Sequence, residues 1–208
     1  MSIATTQRRP TEARQRELID HARKILANHG MDGLTTKALA RAAGITEGAI
    51  YRHFRSKNDI LLGLIDEVEE TLLDIEQRAR ENSRSPLETL RQLLREHLSS
   101  AERRRGISFV VMAEVLRSDN RALRRRMQAV IDRYLRKVDG LLEEAAKVGQ
   151  VSPTIDRWAA AQVFFGLVHA TITLRRFADD ALPVAARHQA LWRVYSRGIA
   201  IQDGFASK

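Results

Sequence analysis

One stretch of the chain restricts the possible folds more than any other, and it runs from Thr35 to Lys57. It reads TTKALARAAGITEGAIYRHFRSK, which predicts two short helices joined by a tight turn at Gly44, because glycine adopts a positive φ at low steric cost. Ala40 is small where two such helices would cross. The other apolar residues fall where the helices must pack together, namely Leu39, Ala43, Ile45 and Ile50. This pattern is typical of a helix-turn-helix rather than of an ordinary helical hairpin.

The second helix of this motif, predicted from Glu47 to about Phe54, keeps one face free of the packing. In the DNA-binding form of the motif, that free face enters the major groove. It consists of Glu47, Gly48, Ala49, Arg52 and His53. Arg52 could pair with a guanine or contact a phosphate. Glu47 could accept a hydrogen bond from cytosine N4, or it could only interact favourably with the dipole at the start of its helix.

Positive charge is concentrated on the same part of the chain. The 208 residues carry a net charge of +9, and residues 1–60 hold 11 Lys/Arg against 6 Asp/Glu, more than half of that excess. Basic charge on a helix-turn-helix favours a nucleic-acid partner. Residues 1–10 are expected to form a flexible arm, which either reaches DNA or has no role in binding.

Hydrophobic spacing predicts helices along the whole chain, and no segment alternates with the period of two that a half-buried strand requires. The expected fold is all-α with nine helices. Ser56 and Asp59 form a capping pair at the start of a long helix that runs to about Arg80. Later helix starts are indicated by Ser85-Pro86, Asp119, Ser152-Pro153 and Pro183. We therefore expect an arm (1–10), a helix-turn-helix domain (11–56) and a larger helical domain (57–208).

The composition excludes several kinds of chemistry. There are no cysteines, so disulfides, thiol catalysis and thiolate metal sites are absent. The six histidines include no pair at i, i+4, and the common nucleotide-binding and hydrolase motifs are missing, so we expect no enzyme, cofactor or metal. The N-terminus lacks the apolar core of a signal peptide, and the most apolar segment, Trp158 to Leu174, is short and interrupted by polar residues. A soluble, cytoplasmic, nucleoid-associated protein is expected.

The segment from Gly33 to Leu61, GLTTKALARAAGITEGAIYRHFRSKNDIL, closely resembles the DNA-binding signature of the TetR/AcrR family of bacterial transcriptional regulators. The specific resemblance covers about residues 11–62, and the rest is similar only in the number and layout of its helices. The resemblance implies a homodimer that places two recognition helices in successive major grooves of a palindromic operator. It implies phosphate contacts by Thr35 or Thr36, Tyr51, His53 and Lys57, a base or phosphate contact by Lys37, and base-facing positions at Thr46, Glu47, Gly48, Ala49 and Arg52.

The segment from Trp158 to Leu174 is apolar on almost every side, so it must be buried on more than one face. Gly166 and Ala170 permit another helix to approach closely. Together with the helix that follows Pro183, it resembles the dimer interface of the family, four helices formed by about residues 154–177 and 183–203 of each chain. An ordinary central core helix is the alternative.

The family usually places a ligand cavity among the middle helices of each subunit. The candidate lining residues are Phe109, Met112, Tyr134, Phe164, Val168, His169 and Ile172, and plain core packing is the alternative for each. Their character favours a small hydrophobic or amphipathic effector, with His169 as its polar contact. The resulting prediction is a repressor that such an effector releases from its operator. The alternative is a DNA-bound regulator that acts through a protein partner, as the nucleoid-occlusion factor of this family does.

Overall fold

The computed structural model describes residues 11–177 and 183–201, and every regular element in these two ranges is helical. Its nine α-helices are α1 (Thr11–Gly33), α2 (Thr36–Ala43), α3 (Glu47–Tyr51), α4 (Lys57–Glu81), α5 (Pro86–Arg103), α6 (Ile107–Arg117), α7 (Arg121–Lys147), α8 (Arg157–Phe177) and α9 (His188–Ile199). A short 3-10 helix, Val184–Arg187, leads directly into α9. The expected all-α fold with nine helices is confirmed. The predicted arm, residues 1–10, lies outside the described residues.

The chain folds into two compact units, and the boundary between them falls inside α4, after Glu67. The first unit packs α1, α2, α3 and the start of α4 around a small apolar core. Its fully buried side chains include Leu18, Leu26, Leu34, Leu39, Ile50, Ile60, Leu64 and Ile65. The regular path of α1 breaks at Gly30, which has a φ of +65°. Glycine is common at such a left-handed position after a helix, and Met31–Gly33 add one more turn beyond it.

Two of the predicted helix starts are formed as the sequence indicates. The Ser56 hydroxyl accepts from the Asp59 amide at 3.3 Å, and the Asp59 carboxylate accepts from the Ser56 amide at 3.2 Å. These reciprocal bonds satisfy amide groups that have no partner inside the first turn of a helix. At the start of α5, the Ser85 hydroxyl accepts from the Glu88 amide at 3.2 Å, and Pro86 occupies the first helical position.

Two other predicted starts are wrong. Asn120, not Asp119, caps α7. Its side-chain Oδ1 accepts hydrogen bonds from the Ala122 amide at 2.9 Å and from the Leu123 amide at 3.3 Å. The eighth helix begins at Arg157 instead of Pro153. Hydrogen bonds of the Ser152 hydroxyl to Thr154 hold the intervening residues in a turn, and Asp156 then accepts from the Ala159 amide at 3.0 Å.

The second unit is built around α8, which packs against α5, α6, α7 and α9. Its core contains side chains from all of these elements except α6, including Leu90, Leu93, Leu94, Val138, Leu141, Phe164, Val168 and Tyr195. The part of α4 in this unit is joined to α7 by ion pairs. Glu69 pairs with Arg126 and, at 2.8 Å, with Arg133, while Glu76 pairs with Lys137 at 3.2 Å. No helix in the described ranges is long and apolar enough to cross a membrane.

Candidate DNA-binding face and ligand cleft

The turn between α2 and α3 depends on Gly44. Its φ of +65° lies in the left-handed region, where a side chain would be strained. The Gly44 amide donates to the Arg41 carbonyl at 3.3 Å, and the Ile45 amide donates to the Ala40 carbonyl at 3.0 Å. These bonds close the end of α2 and direct the chain into α3.

The second helix of the motif is shorter than predicted, since α3 ends at Tyr51 and the chain continues as a turn through His53. Thr46 caps its start by accepting from the Ala49 amide at 3.3 Å. The amides of His53 and Phe54 both donate to the Ile50 carbonyl at 2.9 Å. Ile50 and Phe54 are buried and fix the helix to the first unit, so the remaining sides of α3 are left to solvent.

The five positions predicted to face bases lie together on α3 and its flanks, and we call them the recognition face: Thr46, Glu47, Gly48, Ala49 and Arg52. All are exposed except Ala49, which is half-buried. A Cβ atom placed on Gly48 would meet no other atom within 4 Å. Nothing inside the protein therefore requires a glycine there.

Two of the predicted DNA contacts already form hydrogen bonds within the first unit. The Thr36 hydroxyl donates to the Glu47 carboxylate at 3.2 Å, which links the start of α2 to the start of α3. The Lys57 ammonium group donates to the Met31 carbonyl at 3.1 Å. The sequence pattern gave no signal for either bond. A phosphate that accepts from the Thr36 hydroxyl would have to replace the bond to Glu47, whereas the Lys57 ammonium group has three N–H donors and can bind a phosphate while it keeps its bond to Met31.

The other predicted phosphate contacts have varied surroundings. Thr35 caps α2, because its hydroxyl accepts from the Ala38 amide at 3.0 Å. Lys37 is exposed, and the Tyr51 side chain is 54% exposed. His53 is half-buried, and its Nδ1 atom is buried without a hydrogen-bond partner among the described residues.

A narrow, mostly apolar cleft with about 20 Å³ of free space lies inside the second unit, and we call it the central cleft. Five helices, α4 to α8, contribute to its walls. The lining residues are Val68, Leu72, His97, Ser108, Met112, Met127, Val130, Ile131, Phe165 and His169. Met112 and His169 are the two predicted lining residues among them. Among the described residues, no group of three His, Asp or Glu side chains could hold a metal ion.

The remaining predicted lining residues lie elsewhere. Phe164 and Val168 are fully buried, and Phe164 packs edge-on against Tyr195 of α9, with ring centroids 5.3 Å apart. Phe109 is half-buried against the core. Ile172 borders a separate cleft with Arg105, Arg175 and Arg176. Tyr134 borders a third cleft, between α4 and α7.

Helix geometry explains which residues of α8 line the central cleft. Successive side chains of a helix are rotated by about 100°, and residues four apart share a face. Phe165 and His169 form such a pair and line the cleft, whereas Phe164 and Val168 form the neighbouring pair and face the core. Because α8 is apolar almost all round, the sequence did not distinguish the two pairs. Sequence reasoning missed the other eight lining residues, among them Phe165 and His97.

Four aromatic rings from three helices form a row along one wall of the central cleft; His97, Phe165 and His169 line the cleft, whereas Tyr134 does not. His97 Nδ1 and the Tyr134 hydroxyl are hydrogen-bonded at 2.9 Å, and their ring centroids are 5.3 Å apart. Tyr134 lies 6.0 Å from Phe165, and Phe165 lies 4.0 Å from His169. The order along the wall is therefore His97, Tyr134, Phe165 and His169.

All ionisable groups of this wall are uncharged at neutral pH. Burial lowers the pKa of His97 to about 3, with a smaller contribution from the nearby His169, and burial lowers the pKa of His169 to about 4. Burial also raises the pKa of the Tyr134 hydroxyl well above its ordinary value. The wall therefore offers hydrogen-bonding groups without charge in an apolar setting.

Comparisons with known proteins match nearly the whole chain. Residues 18–64 match the family described as bacterial regulatory proteins, tetR family, and residues 64–197 match the YsiA-like protein, C-terminal region. The fatty acid metabolism regulator protein of Bacillus subtilis is 27% identical over 188 residues, which cover 88% of this chain and 94% of that protein. The nucleoid occlusion factor SlmA of Aliivibrio fischeri is 31% identical over 160 residues, 76% of this chain and 81% of that protein.

Solved structures give the same result. The crystal structure of the transcriptional regulator FadR from Bacillus subtilis in complex with stearoyl-CoA superimposes with a TM-score of 0.76 at 26% identity, covering 88% of this chain and 98% of that one. A TetR transcriptional regulator from Chloroflexus aurantiacus reaches a TM-score of 0.79 at 22% identity and covers 92% of this chain and 98% of that one, a likeness that concerns the fold alone.

Proposed function

The chain belongs to the TetR family of bacterial regulatory proteins, and from this premise we propose that it is a homodimeric repressor, without catalytic activity, which a long-chain acyl-CoA releases from a palindromic operator. Membership of the family confirms the predicted DNA-binding transcriptional regulator. The predicted ligand-responsive repressor is supported, and the alternative of a regulator that acts through a protein partner has no better support.

The central cleft is the observation that carries the proposal of an acyl-CoA effector. Ligand sites are mostly apolar with a few placed polar groups. The central cleft has this character, and its free space of about 20 Å³ is small, so an effector has to part its walls. The relative from Bacillus subtilis that matches over nearly its whole length was solved with stearoyl-CoA. An acyl chain is apolar and its thioester is polar, so it fits a cleft with one polar wall.

The recognition face supports binding to DNA. It is exposed on a helix that buried side chains hold to the first unit, and exposed cationic side chains such as Lys37 and Arg41 flank it. Two such faces would read two half-sites roughly 34–36 Å apart on a palindromic operator. Tyr51 and Lys57 would then contact phosphates, with Lys57 using an N–H donor other than the one bonded to Met31.

A second copy of the chain would cover a set of exposed apolar side chains on α8 and α9, which we call the apolar stripe. It consists of Trp158, Val163, Leu174, Phe177 and Val194, which are 41, 56, 69, 88 and 72% exposed. Exposed apolar groups of this size mark interaction surfaces. Gly166 and Ala170 are also exposed on α8, which would let a partner helix approach closely. The predicted extent of this interface includes residues 202–203, which lie outside the described residues.

Release from DNA would act through α4. This helix begins at Lys57, beside the motif, and its residues Val68 and Leu72 line the central cleft. The cleft is narrow, so an effector has to part its walls, where the ion pairs of Glu69 and Glu76 join α4 to α7. A shift of α4 would change the spacing of the two recognition faces. This mechanism requires that the effector bind the DNA-free conformation more tightly.

The test is release of DNA by a defined ligand. The protein is titrated against the intergenic DNA upstream of its own gene by fluorescence anisotropy, at several salt concentrations and with a scrambled duplex as control. We expect sequence-specific binding that falls steeply with salt. Stearoyl-CoA should then release the operator, whereas free coenzyme A should not. Operator binding that stays unchanged at saturating stearoyl-CoA would refute the proposed effector.

A further inference from the structure

We propose that His169 is the residue that recognises the effector, by donating a hydrogen bond from its imidazole to an uncharged carbonyl oxygen such as that of a thioester. The central cleft would therefore prefer an acyl thioester both to a free carboxylate and to a chain without a carbonyl. This inference rests on the proposed function, because it places the effector in the central cleft.

The first observation is an unsatisfied atom. His169 lines the central cleft, and its Nδ1 atom is buried without a hydrogen-bond partner among the described residues. Nearly all buried polar side-chain atoms in proteins have a partner, and leaving one without a partner costs free energy. The Phe165 ring, 4.0 Å away, packs against the imidazole and restricts its orientation. The site is thus an oriented polar group that lacks a partner, on the wall of a cleft.

Within the second unit, the two buried histidines, His97 and His188, differ from His169. His97 is bonded to the Tyr134 hydroxyl at 2.9 Å, and His188 Nε2 lies 3.0 Å from the Arg91 carbonyl. Both are satisfied by the protein itself, as expected for histidines with a structural role. His169 differs from both, since it lines the central cleft and its buried Nδ1 atom has no hydrogen-bond partner among the described residues.

The absence of charged groups among the residues that line the central cleft favours an uncharged hydrogen-bond acceptor on the ligand. The pKa of His169 is lowered to about 4, so at neutral pH the imidazole carries one N–H donor, and Nδ1 donates when that tautomer is present. No Lys or Arg is among the residues that line the central cleft. A carboxylate there would be a buried charge without a counter-charge, which is strongly unfavourable. A carbonyl accepts the same hydrogen bond without bringing a charge.

The experiment compares three ligands that share one chain length. These are stearoyl-CoA, its thioether S-octadecyl-CoA, which has no carbonyl, and stearate. Binding to the full-length protein is measured by calorimetry. We expect stearoyl-CoA to bind the wild type about three- to tenfold more tightly than the thioether, the effect of one hydrogen bond between uncharged groups. Stearate should bind more weakly than stearoyl-CoA.

Variants assign the preference to His169. His169→Leu should bring the ratio of the two CoA affinities close to one, because it removes the donor. His169→Gln keeps a donor of similar reach and should retain part of the preference. Thr173→Val is the matched control, since Thr173 is on the same helix but its hydroxyl donates to the His169 backbone carbonyl at 2.8 Å, and it does not line the cleft. It should leave the ratio unchanged.

The outcomes separate this inference from the proposed function. If neither CoA derivative binds the wild type, the proposed effector class is wrong and this inference fails with it. If both bind the wild type equally, or if His169→Leu keeps the preference, the inference is overturned while the proposed function stands. Stearate that binds as tightly as stearoyl-CoA would overturn the selection against charge. These wild-type comparisons remain decisive even if the leucine variant does not fold.

Discussion

At the scale of single residues, burial keeps the imidazoles of His97 and His169 uncharged at neutral pH, with pKa values of about 3 and 4. In the unfolded chain both would take up a proton near pH 6.5. Protons therefore favour the unfolded state below pH 6.5, where only that state binds them. The free energy of unfolding is therefore not reduced by these imidazoles above pH 6.5, and it decreases as the pH falls from 6.5 toward their pKa values in the folded chain.

We expect the free energy of unfolding to fall by about 1 kcal/mol per histidine between pH 6.5 and pH 5.5, as the linkage relation requires. Urea unfolding at several pH values in this range measures it. His97→Phe removes one of the two histidines, so the free energy of unfolding should fall by about 1 kcal/mol less over the same pH range. Stability that does not change between these two pH values would show that the imidazoles are already protonated in the folded chain.

Tyr51 and Arg52 are neighbours on an exposed surface, yet we expect different effects on DNA binding. Tyr51→Phe removes a phosphate contact and should weaken binding to the operator and to its single-base variants by the same factor, about three- to tenfold. Arg52→Ala should instead reduce discrimination at one base pair, by about 1–3 kcal/mol. Titration against a panel of single-base operator variants separates the two effects. A uniform loss for Arg52→Ala would indicate that Arg52 contacts a phosphate.

At the scale of helices, short-range signals predicted the fold well. The capping bonds of Ser56 and Ser85 join residues within one turn, so the sequence contains both partners. The end of α3 and the orientation of α8 depend on more distant packing. Phe54 is buried although the regular helix ends at Tyr51, and only the helices around α8 decide that Phe165 rather than Phe164 lines the central cleft. The sequence therefore predicted the motif in more detail than the cleft.

Gly48 permits a test of what α3 must leave free. A side chain at this position meets nothing within the protein, and alanine is the better helix former. We expect Gly48→Ala to stabilise the folded chain by about 0.5–1 kcal/mol and to weaken operator binding, because the added methyl group would meet the DNA. Thermal unfolding and anisotropy titration give the two values.

Gly140, in the middle of α7, is the matched control. A Cβ atom there also meets no atom within 4 Å. Gly140→Ala should increase stability to a similar extent and leave operator binding unchanged. An unaltered affinity for DNA in Gly48→Ala would mean that position 48 does not approach the groove.

At the scale of the whole molecule, the apolar stripe leads to a prediction about assembly. Val194→Glu places a charge on the stripe, where the wild-type side chain is 72% exposed. We expect it to convert the dimer to a monomer and to reduce operator affinity by more than about tenfold, since a monomer holds only one half-site. Light scattering measures the mass, and anisotropy measures the affinity.

Leu116→Glu serves as the control for this change. Leu116 is on α6, a helix that contributes no residue to the stripe, and is similarly exposed at 69%. Its replacement should leave both the mass and the operator affinity unaltered. If Val194→Glu remains dimeric and binds the operator normally, the subunits associate through another surface.

The unpartnered nitrogen of His169 also bears on how long the protein persists in the cell. The chain without ligand has a cleft and an unsatisfied buried atom in its second unit, and both reduce its stability. A ligand that binds only the folded state adds about 1.4 kcal/mol for each tenfold excess over its dissociation constant. We therefore expect stearoyl-CoA to raise the midpoint of thermal unfolding and to slow digestion by a protease. The molecule that ends repression would then also protect the repressor from degradation, so its amount would rise while it is away from DNA.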